Sequence, residues 1–154
     1  MDKRKELTVS AIKNGTVIDH IPADSLFKVL SILNIDVMHS TITIGNGLES
    51  ARLGRKGIIK IAEKHPSIED MNKIALVAPM ARINIIKDYN VVEKKDVEIP
   101  EHIKGIFKCM NPKCITNHER NMLTKFDVVE KNGKLQLRCQ YCEKHTDQKH
   151  FETI

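Results

Sequence analysis

Four cysteines carry the clearest chemistry in this sequence: Cys109 and Cys114 in "CMNPKC", then Cys139 and Cys142 in "CQYC". Two short-spaced pairs on tight turns can bring four thiolates to one tetrahedral Zn2+, because each turn supplies two adjacent sulfurs without straining the chain. A redox CxxC calls for a βαβ setting and no second pair. Two disulfides call for an oxidising compartment. Four thiolates fill the coordination shell, so the zinc is expected to be structural and not catalytic. His118, His145 and His150 are close enough in sequence to compete as ligands, but four cysteines leave them to the surface.

A second group is polar and basic: Asp19 and His20 in "GTVIDHIP", Lys60 in "GRKGIIKI" and Lys94 in "YNVVEKK". Lysines at strand ends can hold a polyphosphate as point charges, and a carboxylate can take ribose hydroxyls. On chemistry alone the same lysines fit solvated strand ends better, since charged side chains are mostly exposed for no special reason. No nucleophile elbow, paired-carboxylate motif or HExxH helix accompanies them, which argues against an enzyme. "GNGLES" lacks the third glycine of a dinucleotide loop and reads as a hairpin tip.

These residues need elements to hold them. "LTVSAIK" alternates at Leu7, Val9 and Ala11 and is followed by a turn at Gly15 and a short strand "TVID". "ADSLFKVLSILN" sets Leu26, Phe27, Leu30 and Leu33 at helical spacing, with Asp24 or Ser25 at the start. "MHSTITIG" and "RKGIIKIAE" read as strands joined by a Gly-rich hairpin. "SIEDMNKIALVAP" opens with a capping box at Ser67 and ends at Pro79. "RINIIKD" and "NVVEKK" close the set. The order predicts an α+β fold: a ferredoxin-like N-terminal domain (βαββαβ sandwich) with an extra strand, its helices on one face.

"KKDVEIPEHIKG" interrupts the hydrophobic periodicity with charges and Pro100, and places a boundary between residues 1–98 and 99–154. The second segment is expected to be a small antiparallel β zinc-binding domain. Its strands would be "GIFKC", the two halves of "MLTKFDVVEKNGKLQLRC" and "KHFETI", and Asn132-Gly133 is a hairpin signal. So small a segment buries too little to fold alone, and a structural zinc supplies what its core lacks.

Composition bounds the partners. At 41% hydrophobic and 29% charged the chain is globular, and a formal charge of +5 favours an anionic partner. With aromatics at 4% and no Trp, a surface that stacks many bases is disfavoured. A zinc-ribbon nucleic-acid-binding protein using Lys104, Lys108, Lys113 and Lys125 is the alternative reading. Interleaved acidic residues and scarce aromatics count against it, so no nucleic acid is expected. No apolar run is long enough to span a membrane, so no membrane partner is expected. The basic start, "MDKRKELTVSAIKNG", has no apolar stretch behind it, so a cytoplasmic location is expected.

"AIKNGTVIDHIPA", "ITIG", "LGRKGIIKIAE", "ALVAPMARINIIKDYNVVEK" and "CMNPKC…LRCQYCEK" together resemble the regulatory chain of aspartate carbamoyltransferase, in the right order over most of the chain. The resemblance implies a non-catalytic subunit in pyrimidine biosynthesis. Its N-terminal domain would bind CTP or ATP as allosteric effector, and its zinc domain would dock on the catalytic chain. It also implies a homodimer of regulatory chains, formed through the N-terminal domains. By the same resemblance Ala11, Ile12 and Val17 line the base pocket, Asp19 takes the ribose, and His20, Lys60 and Lys94 serve the phosphates. Asn84, Ile86, Tyr89 and Val91 form the base-side wall. Asn111, Glu143 and Lys144 face the catalytic chain.

Overall fold

The computed structural model describes residues 11–33 and 39–154. The expected strand at Leu7 and Val9 lies outside them. The chain divides into two compact units, Met1–Glu98 and Ile99–Ile154.

The first unit is a five-stranded antiparallel sheet with the order β2-β3-β1-β4-β5. Its strands are β1 (Gly15–Pro22), β2 (Ile42–Ser50), β3 (Gly54–Ala62), β4 (Arg82–Lys87) and β5 (Asn90–Asp96). Helix α1 (Leu26–Leu33) follows β1, and α2 (Ile68–Ile74) follows β3. This is the split βαβ arrangement, with β5 added at the edge of β4.

Strand alternation explains the two faces. Ile18 stands opposite Ile59 and Ile83, and Thr16 opposite Ile61, and all five are buried. On α1, Leu26, Val29, Ile32 and Leu33 are buried, a stripe at helical spacing. Leu26 rests against Gly57 of β3, on the same face as Ile59. A helix this short is unstable alone, so the buried stripe holds it; each such side chain contributes roughly 1.5–3 kcal/mol. Ser67 caps α2, its hydroxyl accepting from the Asp70 N–H at 3.2 Å.

Four local expectations of this unit need correction. The helix expected to end at Pro79 stops at Ile74, with turns between. Phe27 does not join the stripe: it is 73% exposed, because the buried arc of α1 runs through Val29 and Ile32. "GNGLES" is not a hairpin tip. It belongs to β2, where a bulge between Gly45 and Leu48 absorbs the glycines, and the turn lies at residues 51–53. The chain at Gly15 is not a turn before a short strand, since β1 begins there and runs to Pro22.

The second unit is a four-stranded antiparallel sheet, β6 (His102–Lys104), β7 (Lys125–Lys131), β8 (Lys134–Cys139) and β9 (His145–Asp147), in sequence order. Asn132 and Gly133 both take positive φ, 55° and 75°, making the tight turn between β7 and β8. Of the expected end strands, "GIFKC" contributes only a bridge, Phe107 with Thr153, and Gln148–His150 is a 3-10 turn. Three phenylalanines, Phe107, Phe126 and Phe151, are buried with Ile103 and Leu137. The rings of Phe107 and Phe151 lie 5.3 Å apart at 46°. That core is small for an independent domain.

Candidate metal centre and sheet-face site

Each cysteine pair is delivered by a different device. Cys139 ends β8 opposite Phe126 of β7, and the chain turns back within three residues. Backbone bonds close this turn: Glu143 N–H donates to the Cys139 carbonyl at 2.9 Å, and Cys139 N–H to the Lys144 carbonyl at 3.0 Å. Glu143 takes φ 63° to permit it. Cys109 and Cys114 flank a wider loop that ends in the 3-10 turn Ile115–Asn117.

The loops converge. The Sγ atoms of Cys109 and Cys142 are 3.6 Å apart, those of Cys114 and Cys139 are 3.7 Å apart, and all four lie within 4.8 Å of one another. A tetrahedral zinc with Zn–S bonds of about 2.3 Å requires sulfur-to-sulfur edges of about 3.8 Å. The donor set therefore fits one Zn2+, and the separations are far too long for disulfides. Cys109, Cys114 and Cys139 are buried. Burial pushes the Cys109 and Cys139 thiols up. At Cys142 burial also opposes the thiolate, but the Lys144 N–H, the Asn111 side chain and the neighbouring thiols outweigh it and lower its pKa to about 7. The four cysteines hold one structural zinc, whose charge keeps all of them deprotonated.

His118, His145 and His150 are outside this group. His150 pairs through Nδ1 with Asp147. Asn111 lies in the first loop, with Glu143 and Lys144 just after the second pair. The cysteine loops carry exposed apolar side chains: Met110 in the first loop, Ile115 after it and Tyr141 in the second.

The other predicted residues collect on the sheet face opposite the helices. One rung runs from Thr43 to Lys60, Val17, Asn84 and Lys94, across β2, β3, β1, β4 and β5. In the next rung Gly15 is opposite Ile86, which is opposite Val91. Tyr89 N–H donates to the Lys13 carbonyl at 2.9 Å, which brings the β4–β5 turn beside residues 11–13 and hence Ala11 and Ile12.

At the other end of Val17 the strand breaks register. An extra residue enters β1 between Ile18 and Ile21, and His20 takes φ 59°. Such a bulge re-aims side chains. His20 N–H donates to Asp19 Oδ1 at 2.6 Å, and Lys56 Nζ pairs with the same oxygen at 2.9 Å. Arg82 stands opposite Asp19. His20 Nδ1 is buried and has no hydrogen-bond partner among the described residues. Burial lowers the His20 pKa; Asp19 opposes that, and Lys56, Arg52 and Arg82 add to it. Burial likewise lowers Lys60, with Asp19 opposing. Lys56 and Arg82 escaped the sequence reading, although Lys56 shares a strand face with Lys60 through simple alternation. A surface hollow lined by Glu49, Ser50, Ala51, Gly54 and Arg55 contains none of the predicted residues.

The comparisons with known proteins agree with both halves. Residues 7–98 match the family "Aspartate carbamoyltransferase regulatory chain, allosteric domain", and residues 101–152 match "Aspartate carbamoyltransferase regulatory chain, metal binding domain". The regulatory chain of Phocaeicola vulgatus is 52% identical over 143 residues, covering 93% of this chain and 91% of the relative. That of Pyrococcus horikoshii is 53% identical over 141 residues, covering 90% and 91%. The convergence of a four-cysteine zinc unit with a split βαβ unit, each matched in turn by the family's two domains, makes this chain a member of the aspartate carbamoyltransferase regulatory-chain family, a regulatory and not a catalytic subunit.

Proposed function

We propose that this chain binds CTP or ATP on the helix-free face of its N-terminal sheet and docks through its zinc domain on an aspartate carbamoyltransferase catalytic chain. The observation that carries the first half is the rung Lys60–Val17–Asn84–Lys94. It sets two cations on either side of an apolar and an amide side chain. The Asp19–His20 bulge sits at one end, and Ile86, Val91 and Tyr89 lie toward the other. A nucleoside triphosphate needs that division, with cations for its phosphates, a carboxylate for the ribose and an apolar wall for the base. The base lies against Ala11, Ile12, Ile86, Tyr89 and Val91, the ribose on Asp19, and the phosphates among His20, Lys60 and Lys94. Lys60 is partly desolvated, so a polyanion relieves a cost the free chain carries.

Docking is supported by exposed Met110, Ile115 and Tyr141, each next to a cysteine in sequence, with Asn111, Glu143 and Lys144 in or just after the same loops. Such an apolar patch with a polar rim is the composition of a protein interface. Pairing of two regulatory chains is proposed through the N-terminal units, where β2 and β5 are the edge strands of the sheet among the described residues.

Calorimetric titration of CTP and then ATP into the zinc-loaded chain tests the site. Saturable binding is expected, and Lys60→Ala or Lys94→Ala should each weaken it roughly 10- to 100-fold, the worth of a charge-assisted hydrogen bond. Unchanged binding in both variants would refute the phosphate assignment.

A further inference from the structure

The two halves of the metal centre are not built alike. The second pair sits on a turn that short backbone bonds close, with an Arg138–Glu143 ion pair across it. The first pair is two residues wider, and each added residue brings conformations that have to be excluded before the sulfurs are in place. Within this loop the backbone offers one closure, Cys114 N–H to the Asn111 carbonyl at 2.9 Å, and Asn111 Oδ1 also accepts from the Lys113 N–H at 3.1 Å. The remaining restraint comes from outside. Asn117 Nδ2 donates to the Cys109 carbonyl at 2.9 Å and to the Asn111 carbonyl at 2.7 Å. One amide group spends both N–H bonds on the loop between the two ligands. Its own position is fixed by the 3-10 turn, where Asn117 N–H donates to the Cys114 carbonyl at 2.9 Å.

We propose that Asn117 is the positioning residue of the metal centre, a clamp that holds Cys109 and Cys114 in ligating geometry in the folded unit. Both carbonyls that Asn117 holds lie in the first loop, so loss of the clamp loosens Cys109 and Cys114 first. The inference rests on the four-cysteine zinc centre, which the zinc content of the unaltered chain checks separately.

The experiment uses the full zinc-loaded chain and two variants, Asn117→Ala and the isosteric Asn117→Asp, which keeps the shape and loses the donors. Zinc affinity is read by competition with a chromophoric chelator, and thiol accessibility by alkylation mapped residue by residue with mass spectrometry. Phe126→Leu, a core change in the same unit, serves as the control for general loosening. Both Asn117 variants are expected to hold zinc roughly 10- to 100-fold more weakly, as expected when a partner behind the ligands is lost. Alkylation should speed up at Cys109 and Cys114 before Cys139 and Cys142, whereas Phe126→Leu should expose all four together. Wild-type zinc affinity, or uniform exposure of all four cysteines in the Asn117 variants, would overturn the assignment.

Discussion

His20 concentrates several constraints in one residue. Its positive φ comes from the bulge in β1, and its ring is half-buried, with Nδ1 unpartnered among the described residues. Burial, and then Lys56, Arg52 and Arg82 against the opposing Asp19, set its pKa below the ordinary histidine value in the free chain. Phosphates beside the ring would favour the imidazolium and raise the pKa on binding. The sign follows: nucleotide binding takes up a proton, and affinity rises as pH falls through the bound-state pKa, levelling off below the free-state one. Titrations in buffers of different ionisation enthalpy should show this uptake, and His20→Gln should abolish it. A pH-independent affinity for the unaltered chain would remove His20 from the phosphate region. The sequence put Asp19 and His20 side by side, but not the bulge that turns them, because a single extra residue leaves no compositional mark.

At the scale of elements, the two glycines that start β1 and turn β7 into β8 make a contrast. Gly15 has φ 143°, and a Cβ there would lie 2.0 Å from the Ile61 carbonyl oxygen. Gly133 has φ 75° with open space around it. Gly15→Ala must displace backbone and should cost more than about 3 kcal/mol, whereas Gly133→Ala should cost only about 1 kcal/mol from conformation. Urea unfolding compares them directly, and equal losses would mean that β1 and β3 approach less closely than described. The hairpin at Asn132-Gly133 was legible because both residues advertise positive φ. The order of β and α elements was legible from periodicity, and so was the α2 cap at Ser67. Phe27 and "GNGLES" were misread for opposite reasons. A helix of eight residues can bury either of two overlapping arcs, and only the sheet beneath decides between them. Glycines inside a strand look like a turn until a bulge accommodates them. The four cysteines were readable from spacing alone, while the Asn117 clamp was not, since asparagine after a loop has many uses.

For the molecule as a whole, the two units rest on different foundations. The first has an isoleucine-rich sheet under two helices, and the second has three phenylalanines and a metal. Structural zinc contributes on the order of 10–16 kcal/mol of apparent binding free energy, which such a core cannot replace. Chelation should therefore strip hydrogen-exchange protection from β7 and β8 while β1, β3 and β4 keep theirs. Simultaneous loss in both units, or none in either, would contradict separate foundations. An effector can bias an enzyme only by its different affinity for that enzyme's states, typically by about 1–3 kcal/mol. On the function proposed above, nucleotide on the sheet face of this chain changes the activity of a catalytic chain held by its zinc unit. The most direct measurement is the aspartate saturation curve of catalytic chain reconstituted with this zinc-loaded chain, taken with and without CTP and ATP. At least one nucleotide should shift the curve, and Lys60→Ala should remove the shift while assembly persists. An assembled enzyme whose curve neither nucleotide moves, or a shift that survives Lys60→Ala and Lys94→Ala together, would contradict the proposed function.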